Sequence, residues 1–469
     1  MRPGRARRTL PLLLCLVPIA GSVAAVGLCG PLPEWRGPLL AALLAGGAGW
    51  AGALSLCTRA TSDGSRARLA WILAGAVVLR LLALLGDPGT SDDVHRYVWE
   101  GGVVLAGWSP YAYAPDDPEL APLQEEWRGT FERMNNPSVA GAYPPVTQAA
   151  CAAVVALAGG PGQGEGAAAR LGMRLFFGLC DLLVLAPLAV LLQRRGRSPA
   201  LVLAWGWCPL VALEFAGAGH FDSLGIALLV GALAVLPGSA GRADPARTAP
   251  GRRVLGLALL AGAVLVKYLP LLVLPLAVRG RRWAADLAWT ALFLAAGCAP
   301  FLLLEGGLRG AFGLGGGLSE YAFRWESASL LYRWVEPLFD AHFARDESLT
   351  DPRRLGRAAA GLVLAAAAAR EWWRSRDPVR SAGFLLGLFL VLSPTLHPWY
   401  LTWMVPFLAL HRSPAWIYLV AAAPLLYWPL TRWRAEAVWE EPAWLWPVLA
   451  VPFFALLALQ GARRGGAGR

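Results

Sequence analysis

Two adjacent carboxylates, Asp92 and Asp93, open the segment DDVHRYVWE in a chain that is otherwise rich in apolar residues. A carboxylate so placed can act as a general base, taking the proton of a hydroxyl group as that group attacks. In a helix, Asp93 shares one face with Tyr97 and Glu100, with Arg96 beside them. The alternative is that the aspartates only cap the helix, because negative charge near a helix N-terminus suits the helix dipole.

Two cations could hold an anionic group near such a base. Lys267 is the sole lysine of the chain and lies within an apolar run. A charge at that depth is costly and marks a functional candidate, although a lysine side chain can also extend to the membrane surface. Arg174 and Asp181 lie seven residues apart on one helix face. Either the two opposite charges pair with each other, or Arg174 is left to contact phosphate or sugar.

A tight turn in GHFDSL brings His220 and Asp222 together, shortly after Glu214. Two or three hard ligands make a poor zinc signature, so we predict no metal and no cofactor; a divalent cation is conceivable but lacks support. The remaining alternatives are binding of a sugar or its carrier and a purely structural turn. His397 and Tyr400, in HPWY, would either stack on a sugar or belong to the aromatic belt at the membrane surface.

The composition indicates what kind of elements carry these residues. Hydrophobic residues make up 57% of the 469 positions and charged residues 16%, well below the roughly 25% of soluble domains, which points to a bilayer as solvent. The net charge of +11 comes from arginine clusters between apolar runs, the positive-inside pattern, so we expect membrane lipids and no nucleic acid as partners. The seven cysteines show no CxxC spacing and are expected to be buried thiols.

Apolar runs long enough to cross a bilayer recur along the whole chain. We therefore predict an all-α polytopic integral membrane protein with about 12–14 transmembrane or half-spanning helices. The first run follows a basic start that mimics a signal peptide, but a second run follows at once, so we expect a retained anchor. Spans are expected near 9–29, 37–57, 69–86, 168–192, 199–216, 222–237, 253–268, 283–305, 356–372, 380–395, 399–411, 414–429 and 443–460.

The arginine clusters also predict the topology. Placing them on the inner side puts two long segments, 87–144 and 306–352, on the outer side, and long loops commonly carry function. The alanine-rich segment 146–160 is expected to be re-entrant, because a full span there would move the arginines of 194–197 outside. Residues 238–253 are expected to form a flexible inner linker.

Several motifs, in this order, resemble those of the GT-C superfamily of polyprenyl-phosphate-dependent glycosyltransferases, and most of all its bacterial mannosyltransferase-like members. They are DVHRYVWEG (93–101), GWSPY (107–111), AYPPVTQ (142–148), LGMRLFFGLCDLL (171–183), GHFDSL (219–224), VKYLPLLVLP (266–275) and HPWYLTW (397–403). The resemblance covers most of the chain beyond residue 70. We accordingly expect an N-terminal transmembrane hairpin over 1–68 and a GT-C-like catalytic domain over 69–469.

The resemblance implies a reaction and a role for each candidate residue. A hexose, mannose in the most similar members, would pass from a polyprenyl-phosphate donor to a glycan or lipid acceptor, with inversion, at a site facing the extracytoplasmic side of the cell membrane. Asp93 is the implied catalytic base, with Asp92 as its rival. Lys267, Arg174 and Arg96 are expected to bind the donor phosphate. The expected substrate-binding residues are His220, Asp222, His397, Tyr400 and Tyr143.

Two motifs that the sequence lacks bear on the identity of the sugar donor. The sequence contains neither GxxxxGK[ST] nor a dinucleotide-binding fingerprint, so direct use of ATP or a nucleotide sugar lacks support. The rival function is a non-catalytic transporter or flippase of lipid-linked sugars, which would also need intramembrane charges. Inverted repeats would favour that rival, and we find none in the sequence.

Overall fold

A computed structural model gives the fold. About 75% of the chain is helical, and the described residues form only isolated β-bridges and no strand. Most of the expected inner linker 238–253, and part of the second long segment, lie outside the described residues. The structure describes residues 3–29, 36–59, 65–161, 166–236, 250–310, 316–340, 342–343, 345, 349–375, 377–436 and 438–466.

The helices follow the apolar runs of the sequence. In chain order they are α1 (Pro3–Leu28), α2 (Arg36–Arg59), α3 (Ser65–Ala83), α4 (Asp93–Leu105), α5 (Ala121–Glu126), α6 (Arg128–Phe131), α7 (Pro145–Leu157), α8 (Ala167–Leu183), α9 (Leu185–Arg194), α10 (Leu203–Gly206), α11 (Pro209–Ala212), α12 (Asp222–Val235), α13 (Pro250–Val266), α14 (Leu274–Ala277), α15 (Trp283–Cys298), α16 (Gly317–Arg324), α17 (Pro337–Asp340), α18 (Pro352–Arg374), α19 (Pro378–Leu392), α20 (Pro398–Leu401), α21 (Val405–Leu410), α22 (Pro414–Ala422), α23 (Trp428–Glu436) and α24 (Leu445–Gly466).

Five helical stretches within the described chain are long and apolar enough to cross a bilayer unaided. A sixth span would be the pair Pro199–Gly206 and Pro209–Gly217, which is bent by 61°. The other apolar helices are shorter, so many of the predicted spans are broken or partial. The five stretches are Pro11–Leu28, Gly37–Cys57, Ala167–Arg194, Trp283–Leu303 and Leu445–Arg463.

Prolines account for many of the breaks. A proline lacks the backbone N–H and has a fixed φ, so it suits the first turn of a helix and interrupts a helix that is already running. Pro209, Pro398 and Pro414 each begin a short helix. The region 398–436 is therefore a series of short helices where the sequence predicted two spans.

The two long segments that we expect on the outer side, 87–144 and 306–352, contact each other at one end of the bundle and are called the outer segments below. The Ser109 amide donates to the Glu305 carbonyl at 2.9 Å, and the Glu305 amide donates to the Gly107 carbonyl at 2.8 Å. At Gly317, the first residue of α16, even a Cβ atom would collide with the Ala140 carbonyl oxygen. These contacts place 87–144 and 306–352 on the same side of the molecule.

The arginine-containing loops meet at the other end. The Arg195 guanidinium forms a bidentate pair with Asp377, at 2.5 and 2.9 Å, and Arg279 donates to the Ser375 carbonyl at 2.8 Å. Helix α18 separates this end from the second outer segment by 23 residues, about 34 Å of helix. The two sets of loops therefore lie at opposite ends of the bundle.

Helix α7 begins and ends close to residues of the outer end. It has 13 residues, about 20 Å, less than the roughly 30 Å of a hydrocarbon core. Near its start, the Thr147 hydroxyl donates to the Val266 carbonyl at 2.7 Å, and after its end the Pro161 carbonyl accepts from Thr130 of the first outer segment at 3.2 Å. This geometry agrees with the expectation that 146–160 enters and leaves on one side.

The N-terminal hairpin belongs to the main core. Residues of α1 and α2 share one hydrophobic cluster with residues of α10, α11, α22 and α24. The Trp50 indole donates to the Ala204 carbonyl at 2.9 Å, and Gly47 lies against the Ala421 backbone. The hairpin thus packs directly on the rest of the bundle, while the division at residue 68 stays a prediction.

The structure excludes one of the two alternatives for Arg174, a pairing with Asp181. Asp181 does not face Arg174 but accepts two hydrogen bonds from Arg80 of α3, at 2.6 and 2.7 Å, and both side chains are buried. Residues seven apart share a helix face only approximately, and the closer arginine comes from a different helix. This buried ion pair connects α3 to α8.

Candidate functional site

The acidic pair lies where α4 begins. Asp92 is the N-cap residue, yet its side chain makes no capping hydrogen bond; the Asp93 amide donates instead to the Ser91 hydroxyl at 3.2 Å. The Asn135 amide nitrogen donates to both carboxylates, at 2.8 Å to Asp92 and 3.2 Å to Asp93. The Asp92 carboxylate is thus not used as a cap. The Asp93 side chain remains 21% exposed, so it is within reach of a substrate.

The surroundings of Asp93 suit a proton acceptor. Burial is the main cause that raises its pKa, and the charge of Asp92 adds to it, giving about 6. The hydrogen bond from Asn135 and the charges of Arg96 and Lys267 act in the opposite direction. Such a carboxyl is ionised at neutral pH and still binds a proton more strongly than an ordinary aspartate.

Behind Asp93 lies a buried polar chain. The His220 Nδ1 atom is 4.0 Å from Asp93 Oδ2 and 3.1 Å from the Tyr97 hydroxyl. On the opposite side of the ring, Nε2 is 3.3 Å from Glu214 Oε2, and the Tyr427 hydroxyl donates to Glu214 Oε1. His220 and Glu214 are completely buried, so they contact other protein groups and not the solvent.

Local backbone geometry places His220. Residues 213–217 form a π-helical turn, a wider turn that commonly marks functional positions, and Gly219 follows with φ +79°, a conformation that favours glycine. Asp222 then begins α12. The π-helical turn, the bend at Gly219 and the start of α12 together present Glu214, His220 and Asp222 to the same polar centre.

Lys267 is paired within the protein. Its ammonium lies 2.6 Å from Asp222 Oδ1, and the Trp403 indole donates to the same oxygen at 2.6 Å. The ammonium also lies over the Tyr400 ring, 4.1 Å from its centroid. The lysine side chain is 20% exposed, so one side of this cation is open to a ligand.

Aromatic rings surround these groups. The Trp399 ring stacks between the imidazoles of His220 and His397, with centroids 4.1 and 4.4 Å away. Tyr143 meets Tyr97 edge-on at 5.4 Å and is half-buried. His220 is thus covered by Trp399, whereas Tyr143 and His397 keep partly exposed surfaces.

The other two expected phosphate partners are occupied by protein groups. Arg96 pairs with Glu100 at 3.0 Å and donates to backbone carbonyls of the first outer segment, the shortest at 2.6 Å to Asn136. Arg174 donates to the carbonyls of Ala83 at 2.9 Å and Ala216 at 3.1 Å. Both sets of contacts favour a structural role, and phosphate binding by these arginines stays a prediction.

Sequence reasoning missed several partners. Asn135 lies within a conspicuous NNP segment, but nothing in the sequence indicated that it bridges two carboxylates. The indoles of Trp399 and Trp403 contact His220 and Asp222 across about 180 residues, a separation that no local pattern can signal. No group of three or more metal-ligating side chains occurs within the described part of the chain.

Unsatisfied polar atoms concentrate at this centre. Buried polar groups normally find hydrogen-bond partners, so such atoms indicate a place for water or ligand. Of the nine such side-chain atoms within the described ranges, seven belong to residues of the polar centre or of the segments beside it. The seven are those of Thr90, His95, Gln148, Glu214, His220, Asp222 and Tyr268.

Fold and site together define an all-α polytopic membrane protein whose polar centre holds a partly exposed carboxyl of raised pKa, Asp93, beside the Lys267–Asp222 pair. Two family models match the chain: residues 17–281 match the alpha-(1->6)-mannopyranosyltransferase N-terminal domain, and residues 330–438 match the MptB C-terminal domain. Since the first match covers more than half of the chain, the protein belongs to the alpha-(1->6)-mannopyranosyltransferase family. It is a glycosyltransferase of the mannosyl-transferring kind.

The matched regions contain the polar centre. The N-terminal match includes Asp93, His220 and Lys267, and the C-terminal match includes His397 and Tyr400. The first match begins within α1, so it extends into the hairpin that the sequence resemblance left out. No curated protein and no solved structure matches the chain.

Proposed function

We propose that the protein transfers a mannosyl group from a polyprenyl monophosphate donor to a glycan or lipid acceptor, with inversion, on the extracytoplasmic side of the cell membrane. The observation that carries this proposal is the position of Asp93. It is a partly exposed carboxylate with a raised pKa, near a lysine, at the end of the bundle opposite the arginine-containing loops. The resemblance to GT-C enzymes supports the same assignment.

In this proposal Asp93 is the general base. Its carboxylate takes the proton of the acceptor hydroxyl while that oxygen bonds to the anomeric carbon, and the bond from this carbon to the phosphate oxygen breaks. Lys267 lies beside the leaving phosphate, where an ammonium can stabilise the charge that develops. Tyr143 and His397 supply partly exposed aromatic faces for the sugar, and the largely buried Tyr400 ring lies beneath the Lys267 ammonium.

Replacement of each aspartate tests the base. Asp93→Asn keeps size and hydrogen bonding but cannot accept the proton, so turnover should fall by about 10²–10⁴-fold. Asp92→Asn should cost much less, and it is the matched control because Asn135 contacts both carboxylates. The assay follows labelled mannose from a polyprenyl phosphomannose to a mannose oligosaccharide. Full transfer by both variants would exclude the proposed base.

The pH dependence offers a second test. Asp93 must be ionised to act, so kcat/KM should decline as pH falls below about 6, the raised pKa of this carboxyl. With an ordinary aspartate as the base, the midpoint of this decline would lie near pH 4. The pH–rate profile of the purified enzyme measures the midpoint.

Membership in a transferase family weighs against the rival function of a transporter. No observation among the residues that the structure describes favours that rival.

A further inference from the structure

We infer that Asn135 is a positioning residue for the catalytic base: its amide nitrogen holds Oδ1 of Asp93 and leaves Oδ2 of that carboxylate to take the proton of the acceptor hydroxyl. This inference rests on the proposed function, because Asn135 acts through Asp93. It follows from two hydrogen bonds of one side chain. The Asn135 Nδ2 atom lies 2.8 Å from Asp92 Oδ1 and 3.2 Å from Asp93 Oδ1.

The two carboxylates determine which way the Asn135 amide points. An ionised carboxylate only accepts hydrogen bonds, whereas the amide group has two hydrogens on its nitrogen and none on its oxygen. The nitrogen therefore faces Asp92 and Asp93, and each of its hydrogens serves one carboxylate. One asparagine thus holds two adjacent acidic side chains in fixed positions, although their negative charges repel each other.

The two oxygens of the Asp93 carboxylate differ as a result. Oδ1 accepts from Asn135, while Oδ2 accepts no hydrogen bond from any residue that the structure describes. The His220 Nδ1 atom is 4.0 Å from Oδ2, which is beyond hydrogen-bond distance. Oδ2 also keeps exposed surface, since it is not one of the buried polar atoms that lack a partner. It is therefore the oxygen that a substrate hydroxyl can reach.

The segment 135–139, which carries this amide, is anchored on the same helix as the base. Arg96, three residues after Asp93 in α4, is buried and donates to three backbone carbonyls of the segment. The three are those of Asn135 at 3.2 Å, Asn136 at 2.6 Å and Val139 at 3.0 Å. The Arg96 guanidinium also pairs with Glu100, one turn further along α4. Because helix, arginine and segment form one closed circuit, the amide is held at a fixed distance from Asp93.

The same hydrogen bond acts on the protonation of the base. Donation to a carboxylate stabilises its charged form, so the Asn135 amide lowers the pKa of Asp93, whereas burial and the charge of Asp92 raise it. Other charged and titratable groups also face this carboxyl and stay in place when Asn135 is changed. They are Asp92, Arg96 and Tyr97 at the start of α4, Glu214 and His220 before α12, and Lys267 after α13.

Asn135→Ala is the first test variant. Without the amide the Asp93 carboxylate is free to rotate, so kcat should fall by about 10- to 100-fold, since a displacement on the order of 1 Å can cost about 10²-fold. The acid limb of the pH–rate profile, the decline of kcat/KM towards low pH, should move to higher pH because the pKa of Asp93 rises. The KM for the polyprenyl phosphomannose should change little, since the amide bonds to the aspartates and not to Lys267.

Asn135→Asp keeps the size and shape of the side chain but removes the donor. Its backbone carbonyl can still accept from Arg96, so this variant keeps the test open should Asn135→Ala fail to fold. An ionised aspartate cannot donate to Asp93 and adds a further negative charge beside it. The acid limb should therefore move to higher pH by more than it does in Asn135→Ala.

Gln124→Ala is the matched control. Gln124 is another half-buried amide side chain of the first outer segment, and its nitrogen donates to the carbonyls of Pro115 at 2.9 Å and Asp117 at 3.0 Å. Its replacement removes two amide hydrogen bonds from the same segment but none from a carboxylate of the site. It should lower the Tm and leave kcat and the acid limb unchanged. Asn136 would not serve as the control, because its φ of +47° would strain an alanine.

The variants separate failure of this inference from failure of the proposed function. A lower Tm with wild-type kcat and an unmoved acid limb in both Asn135 variants, the pattern of the Gln124 control, would mean that Asn135 only stabilises its segment. A raised KM for the donor with an unmoved limb would assign Asn135 to donor binding and would equally overturn the inference. In either case an inactive Asp93→Asn leaves the base intact. An active Asp93→Asn would instead overturn the proposed function.

Discussion

Lys267 is predicted to hold the donor phosphate although it already has an anionic partner, Asp222, at 2.6 Å. Lys267→Met should weaken donor binding by about ten- to more than a hundredfold, the value of a charge-assisted hydrogen bond of roughly 1.5–3 kcal/mol. It should also destabilise the fold by about 3–5 kcal/mol, because the buried Asp222 loses its partner. Donor binding and thermal unfolding of purified protein measure the two effects separately.

The double variant Lys267→Met/Asp222→Asn separates stability from binding. It leaves no unpaired buried charge, so most of the stability should return while donor affinity stays low. Asp222→Asn alone shows what the aspartate contributes to binding. Normal donor affinity in the double variant would mean that the lysine serves only Asp222.

The ionised Asp93 carboxylate should lower the stability of the folded protein at neutral pH. Its pKa is about 6 in the folded chain and near 3.8 when unfolded, so the folded state binds a proton more tightly. Stability from this group is therefore complete at low pH and declines as pH rises from about 4 through 6. At pH 7.5, Asp93→Asn should be more stable than the wild type by about 1–2 kcal/mol, reduced from the full shift by partial exposure. At pH 4.5 the difference should shrink. Equal Tm differences at both pH values would contradict the raised pKa.

The individual residues show how far the sequence could predict the site. Asp93 and Lys267 were recognisable because each is a charge out of keeping with its apolar surroundings, and the structure brings both to one polar centre. The Lys267–Asp222 pair was not predictable, since it joins the ends of two helices 45 positions apart. Arg96 and Arg174 looked equally suitable for phosphate, but their carbonyl partners depend on loop paths that no local pattern encodes.

The apolar runs of the sequence predicted well where the helices lie. They predicted poorly which of these helices are long and unbroken enough to cross the bilayer. The predicted span 222–237 corresponds to α12, and 380–395 to α19, within a few residues. Whether a run crosses as one straight helix depends on where prolines interrupt it and on how neighbours pack. The run 199–216 is therefore two helices bent by 61°.

The buried pair between α3 and α8 gives a prediction for helix packing. Asp181→Ala should destabilise the protein by about 3–5 kcal/mol, because Arg80 stays buried without its anion. The double variant Arg80→Met/Asp181→Leu fills the space with apolar groups and should recover most of that loss. Thermal unfolding in detergent compares the three proteins. A single variant as stable as the wild type would mean that the pair does not hold these helices together.

For the whole molecule, two independent features agree on a topology. The arginine clusters predict that one end of the bundle is the inner side, and the hydrogen bond from the Ser109 hydroxyl to the Gly307 carbonyl joins the two acidic and aromatic segments at the other end. Helix α7 fits this arrangement because Pro161, after its end, contacts Thr130 of the first outer segment, and Thr147, near its start, contacts Val266 at the end of α13. We propose that the polar centre at Asp93 opens at the level of the lipid headgroups, because the phosphate of the proposed carrier would lie there while its tail stays in the bilayer.

Cysteine labelling of intact cells tests this topology. In a background with all seven native cysteines replaced, Glu119→Cys and Leu349→Cys add exposed thiols in the two outer segments, and Arg374→Cys adds one at the opposite end. A membrane-impermeant maleimide should label the first two in intact cells and the third only after permeabilisation. Glu119 and Leu349 test the two segments separately, so agreement between them also checks that both segments lie at one end. Labelling of Arg374→Cys in intact cells, with protection of the other two, would invert the topology and place Asp93 on the inner side, where the proposed extracytoplasmic transfer could not occur.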